Sequence, residues 1–373
     1  MGVGRTRGDS DGRTQAQALE FAIWQEAFAR RQVSAPNHAL SQMQPGGSYP
    51  CGLPELWLLP RSRGCRDTSL LSTSAFLFPG QGAQYVGMGR QPIEESAAAR
   101  DIFERASAVL EIDLESMCLA GPERLLSTTD NSQPAIFVTS LAAAAALRQR
   151  DAAVFDSVQA TAGLSLGEYT ALVFADCLSF EDGLKLVRAR GRAMQAASDL
   201  QAGGMVSILG LELAHVMALC QEVREEGEVL QVANLLGPMN TAVSGHLAAC
   251  DRITEKAVQA GAIKALRLAV AGAFHTPLMR PAVDKLTVAL EAVDLRDAKV
   301  PVISNVDGKP HTDAGEIRDL LVEQVVRPVQ WESSMQWLLS HGFDQFWEVG
   351  PGRVLRGLLR RLDRKVPFEN VPG

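Results

Sequence analysis

The sequence predicts an α/β protein, a parallel sheet covered by helices with a smaller antiparallel unit inserted near its middle. Two patterns carry that prediction. From Ser74 onward, short apolar runs alternate with helical periodicity, and between Gly203 and Val270 the order changes to strand, helix, strand, strand, helix, strand. Apolar runs set between helices belong to a parallel sheet buried on both faces. A βαββαβ run closes on itself as an antiparallel sheet with two helices.

Residues 1–73 stand apart from this pattern. They hold 8 Arg, no Lys and 6 acidic residues, a net charge of +2, while the remainder carries −9. Thr14–Arg31 has helical spacing, but Gly46, Gly47, Pro50, Pro54 and Pro60 punctuate the stretch after it. The segment reads as an extension. Its Lys-free, Arg-containing composition fits a mitochondrial transit peptide, against which its six acidic residues, Asp9 and Asp11 among them, count; a mispredicted or lineage-specific N-terminus on a cytoplasmic protein is the competing reading.

The core elements then come in order. Ala75–Phe78, Ser157–Ala162 and Val300–Ser304 read as buried strands, and Ile136–Arg148 and Glu181–Ala197 as helices. Within the insert, Met205–Leu209, Val229–Ala233, Thr241–Ser244 and Ala265–Val270 are strand-like. Polar helical stretches around His215–Glu226 and Leu247–Ala260 separate them.

Composition excludes several function classes. With 36 basic and 43 acidic residues and no dense Lys/Arg stripe, nothing neutralises a phosphate backbone, so nucleic acid is not expected as a partner. The apolar stretch Ala135–Leu147 falls short of the roughly 20 residues of a membrane span. Six cysteines at 51, 65, 118, 177, 220 and 250 form no CxxC pair, which gives no zinc cage and no disulfide scaffold, and no metal is expected.

Four elements carry chemistry. The strand ending at Ala162 runs into Gly163-Leu164-Ser165-Leu166-Gly167, and a helix begins directly after it. Flanking glycines allow a tight strand-to-helix turn that lifts the Ser165 hydroxyl out of the sheet, as a nucleophile requires. Among six histidines, His275 lies in a small-residue loop, Ala271-Gly272-Ala273-Phe274-His275-Thr276-Pro277, from which an imidazole can project into a cleft. It is the preferred base, with His311 and His341 as competitors. On the helix Glu181–Ala197, Arg190 falls on the apolar face with Leu186, Val187, Ala193 and Met194, opposite Arg188 and Arg192. A guanidinium there must snorkel, pair internally, or await a ligand carboxylate. Finally, Phe78-Pro79-Gly80-Gln81-Gly82 comes after the first strand, and its glycines let backbone amides approach a developing oxyanion.

F-P-G-Q-G at 78–82, Q-P-A at 133–135, G-L-S-L-G-E at 163–168, Arg190, G-A-F-H-T at 272–276, P-V-Q-W at 328–331 and E-V-G-P-G at 348–352 occur together. In that order they resemble the malonyl-CoA:acyl-carrier-protein transacylase family, most closely its mitochondrial members, over residues 75–360. The resemblance implies Ser165 as nucleophile and His275 as general base, with Gln330 orienting His275 through its main-chain carbonyl. It assigns the oxyanion-hole amides to Gln81 and Leu166, the malonyl carboxylate to Arg190, and cleft-lining positions to Gln133 and Asn234. It implies a hydrolase-like core over 74–202 and 271–373, a ferredoxin-like insert over 203–270, and a monomer without cofactor. The partners implied are malonyl-CoA and an acidic acyl carrier protein, which Arg353, Arg356, Arg360 and Arg361 are placed to meet. Leu164 stands where bacterial members usually have His. Rival readings are a serine hydrolase or lipase with His341 as base, an acyltransferase for another acyl-CoA, and a binding paralogue without activity.

Overall fold

The computed structural model describes residues 72–373. The expected helix at Thr14–Arg31, His38, Cys51, Cys65 and the transit-peptide reading lie outside the described residues. The larger sheet has six strands in the order β10-β9-β1-β2-β7-β8. They are β1 (Ser74–Phe78), β2 (Val158–Gly163), β7 (Val302–Ile303), β8 (Pro310–His311), β9 (Gln345–Gly350) and β10 (Phe368–Pro372). All neighbours run parallel except β8, which pairs antiparallel with β7.

β1 is central, and alternation along it feeds both faces. Phe76 and Phe78 pack into the core under the helices Thr129–Arg150 and Leu166–Phe174, while Ala75 and Leu77 meet Trp331, Phe346 and Leu355 on the other side. The strand is apolar throughout because both of its faces are covered. Thr129–Arg150 is buried almost all round. The helix Phe180–Leu200 starts where Ser179 accepts the amide of Asp182, with Glu181 and Asp182 complementing the dipole in its first turn.

The smaller sheet runs β4-β5-β3-β6, antiparallel throughout, from β3 (Gly203–Leu209), β4 (Leu230–Gly237), β5 (Asn240–His246) and β6 (Lys264–Arg267). The helices Leu213–Val223 and Leu247–Gln259 cover it through Val216, Leu219, Ile253 and Ala257 against Val206, Ile208 and Val243. The strand expected to continue to Val270 ends at Arg267, and the one expected over Val300–Ser304 is only two residues long. The remaining stretches are loops that lead to His275 and Asn305. β4 is tied to the larger unit, since Leu235 donates to the Val329 carbonyl at 2.9 Å and Val329 donates to Ala233 at 2.8 Å. Among the described residues, no helix is long and apolar enough to cross a membrane.

Candidate active site

The site is built where β1, β2 and the insert meet. β2 turns into the helix Leu166–Phe174 at Ser165, whose φ of 52° and ψ of −98° lie outside the usual wells. The turn works because backbones touch: a Cβ at Gly167 would stand 2.2 Å from the Phe78 carbonyl oxygen, and one at Gly80 would stand 2.2 Å from that of Leu164. The second contact brings Gln81 against the elbow. Leu166 opens the helix, so its N–H has no partner within the helix.

His275 is buried, at a φ of 61°. Its Nε2 lies 2.9 Å from Ser165 Oγ, and its Nδ1 lies 2.8 Å from the main-chain carbonyl of Gln324. That carbonyl can only accept, so Nδ1 carries the proton and Nε2 is left to accept from the serine hydroxyl. Burial, with the nearby Arg190 cation, pulls its pKa down to about 4. The imidazole is therefore neutral and able to take a proton at neutral pH.

Arg190 is 1% exposed. Its Nη1 donates to Gln133 Oε1 at 2.8 Å, and its Nη2 donates to Ser165 Oγ at 3.0 Å and to Gln324 Oε1 at 2.9 Å. The guanidinium lies over the Tyr169 ring, 5.2 Å from its centroid. All these oxygens are neutral, and Nε has no partner. Burial pulls its pKa below the ordinary guanidinium value, partly offset by Tyr169 and Glu168. Its helix neighbours point elsewhere: Arg192 is exposed, and Arg188 Nη1 donates to the Asp130 carbonyl and to Asn131 Oδ1, both at 2.7 Å.

Ser165, His275, Arg190 and Gln133 thus converge as expected from the sequence, but the orienting residue does not. The Gln330 carbonyl accepts from the amide and hydroxyl of Ser334, each at 3.0 Å, as the cap of the helix Trp331–Ser340. Gln324 ends the helix Ala314–Gln324, where a terminal carbonyl has no helical partner and is free for His275. Asn234 is buried on β4 with an unpartnered Oδ1 and hydrogen-bonds none of these groups. The competing bases are occupied elsewhere. His341 is exposed and stacked on Trp337 with ring centroids 4.0 Å apart, and His311 pairs with Asp307 and Glu316.

Three contributors were given no role from the sequence: Gln324, Asn305 and Glu168. Asn305 Oδ1 accepts from the Ser165 amide at 2.6 Å, and its Nδ2 donates to the Gly163 carbonyl at 2.7 Å. Gln324 Nε2 donates to the Ser165 carbonyl at 3.0 Å and to Glu168 Oε2 at 2.6 Å. Only Glu168 carried a signal, as a carboxylate in the first turn after the elbow.

Chemically, this is a serine hydroxyl with a neutral imidazole to deprotonate it and a buried cation within hydrogen-bond reach. The acyl transferase domain family matches residues 75–366. The malonyl CoA-acyl carrier protein transacylase of Bacillus subtilis (strain 168) is 40% identical over 296 residues, covering 79% of this chain and 92% of that protein. The crystal structure of an acyl-carrier-protein S-malonyltransferase from Bartonella henselae superposes with a TM-score of 0.77 at 38% identity, covering 81% of this chain and 96% of that one. A malonyl-transacylase solved in complex with its type II PKS acyl-carrier protein gives a TM-score of 0.76 at 35% identity, covering 80% and 95%. The chain belongs to the acyl transferase family, among the malonyl CoA-acyl carrier protein transacylases.

Proposed function

We propose that this chain transfers the malonyl group of malonyl-CoA to the phosphopantetheine thiol of an acyl carrier protein, through an ester on Ser165, in the service of fatty acid synthesis. The observation that carries the reading is the buried Arg190 guanidinium, bonded only to neutral oxygens, 3.0 Å from the nucleophile. A malonyl ester on Ser165 places its free carboxylate one methylene beyond the ester carbonyl, within reach of that cation. An uncharged acyl group would leave the cation without an anion.

His275 Nε2 takes the Ser165 proton as Oγ attacks the thioester carbonyl, and the Gln81 and Leu166 amides receive the oxyanion. The carbon–sulfur bond breaks, and the CoA sulfur leaves with the proton from His275. In the second half, His275 removes the proton of the pantetheine thiol, which attacks the ester carbonyl; the carbon–Oγ bond breaks, and His275 returns that proton to Ser165 Oγ. The Gln324 carbonyl keeps the imidazole in the required tautomer throughout, a role that an Asp fills in other serine enzymes. Gln133 holds Arg190, and Asn234 is assigned to the wall of the cleft. The exposed Arg353 and Arg360 are the basic groups assigned to the carrier.

The hydrolase-like core is assigned to 74–202 and 271–373 and the ferredoxin-like insert to 203–270, a division supported by the two separate sheets. Residues 1–73 are assigned to mitochondrial targeting on composition. A tagged full-length chain should co-localise with a matrix marker, and a uniform cytosolic signal would reject that assignment. The chemistry itself is tested by mass spectrometry after incubation with malonyl-CoA. A malonyl adduct on the peptide containing Ser165, discharged by carrier protein, is expected, and an unmodified peptide would sink the reading.

A further inference from the structure

We propose that Glu168 is a positioning residue for acyl transfer: one of its carboxylate oxygens holds the Gln324 side chain and the Asn305 main chain, the two residues that grip the main chain of Ser165. This rests on the acyl-transfer reading above. Ser165 occupies a strained conformation, and such strain persists only where the surroundings over-determine it. Here both main-chain polar groups of Ser165 are held by side chains, the N–H by Asn305 Oδ1 at 2.6 Å and the carbonyl by Gln324 Nε2 at 3.0 Å. Both holders lead back to Glu168 Oε2, which accepts from Gln324 Nε2 at 2.6 Å and from the main-chain N–H of Asn305 at 3.3 Å.

A carboxylate does something there that an amide cannot. An ionised carboxylate only accepts, so Gln324 must turn Nε2 toward it and leave Oε1 for Arg190 Nη2, at 2.9 Å. An amide at 168 could offer its own donors, and Gln324 would be free to flip, setting two donors face to face at Arg190. One oxygen atom therefore orders the nucleophile, the substrate-facing cation and the residue whose carbonyl holds His275.

Glu168 is 3% exposed, in the first turn of Leu166–Phe174. The groups facing it are Arg190 from Phe180–Leu200, Tyr169 on its own helix, Ser304 and Asn305 from the loop after β7, and Gln324 from Ala314–Gln324. Arg190 is the only cation among them. Burial pushes the carboxyl up to about 7, against the pull of its hydrogen bonds and of Arg190. Glu168 thus loses its proton near neutrality, whereas His275 is already neutral above about 4.

The test is the pH profile of malonyl-serine formation, followed by rapid quench on the full-length chain and on Glu168→Gln. In the parent, the rate at saturating malonyl-CoA should rise through an apparent pKa of about 7. Glu168→Gln should lose that rise and run about tenfold or more slower at pH 8, with KM within about threefold, because nucleophile geometry is disturbed and not substrate binding. A parent profile flat around 7, a variant that keeps the rise, or a variant as fast as the parent would overturn the proposal. If Glu168→Gln fails to fold, Asn305→Ser leaves the carboxylate in place and removes the grip on the Ser165 amide. A lower rate at unchanged KM supports the proposal, and a parental rate overturns it. Failure of the acyl-transfer reading would look different: the parent would form no malonyl-serine at any pH.

Discussion

Nη2 of Arg190 lies 3.0 Å from Oγ of Ser165, so a buried cation is in direct contact with the half-buried nucleophile. Three of its hydrogen bonds fix the guanidinium, and none of them goes to a carboxylate. On the proposed reading, that charge meets the carboxylate of an acyl group bound to the same serine.

Arg190→Ala should therefore lower kcat/KM for malonyl-CoA by the equivalent of roughly 2–5 kcal/mol, the range for breaking a buried charge pair. Acetyl transfer should hold steady or rise, because no carboxylate is lost and an unpaired cation is removed. Arg190→Lys should recover only part of the malonyl activity, since a point charge does not reproduce the two-bond fork. Competition between malonyl-CoA and acetyl-CoA reads this directly. Equal losses for both acyl groups would make Arg190 a structural residue.

His275→Ala should slow both half-reactions by about 10²–10⁴-fold, as expected on removal of a general base. His341→Ala, at an exposed position stacked on Trp337, should leave both unchanged. Single-turnover loading and discharge separate the two steps, and an effect confined to His341→Ala would revive the hydrolase reading.

Gln324→Leu and Gln330→Ala should part company. The first strips side-chain bonds from Arg190, Glu168 and the Ser165 carbonyl, leaving buried groups unpaired at about 1–3 kcal/mol each. It should lower both melting temperature and turnover. Gln330 contributes its backbone to a helix cap, so Gln330→Ala should alter neither by a measurable amount. A turnover loss in Gln330→Ala alone would show that the Gln330 side chain, and not only its backbone, serves the site.

Stability should carry two opposed pH slopes. The folded His275 value, about 4 against an ordinary 6.5, means the unfolded chain binds the extra proton between them, so stability rises with pH across that window. Glu168, raised from 4.5 to about 7, binds its extra proton in the folded chain, so its contribution falls as pH rises from 4.5 to 7. Glu168→Gln removes only the second slope. Thermal melts of variant and parent should show the gap between them moving in the variant's favour as pH rises, and parallel curves would refute the opposition.

Gly167→Ala should destabilise at or beyond the ~1–3 kcal/mol of ordinary overpacking, because its Cβ would meet the rigid Phe78 carbonyl oxygen at 2.2 Å. Gly357→Ala, in the helix Leu355–Leu359 with nothing within 4 Å of the new methyl, should stabilise by about 0.5–1 kcal/mol. Denaturant titration distinguishes the two, and similar midpoints would show that the elbow backbone can yield.

By itself the sequence determined the strand–Gly-x-Ser-x-Gly–helix turn, the succession of strands and helices along the insert and the apolar face on which Arg190 lies. Each is a local pattern: pleat and helix periods report which side chains turn inward, and paired glycines report where backbones must pass closely. Tertiary structure alone decided what those inward groups meet. Gln324 and Gln330 sit six positions apart beside two helix termini, and nothing in their spacing says which carbonyl comes to rest over His275. That depends on where the helix Ala314–Gln324 ends relative to a loop 49 residues away in sequence. Asn305 reaches the Ser165 amide across 140 residues, and Gln324 reaches its carbonyl across 159. Contacts at such separation are set by how the sheet and its helices pack, since a polar side chain's partner lies on another element whose placement no local period encodes.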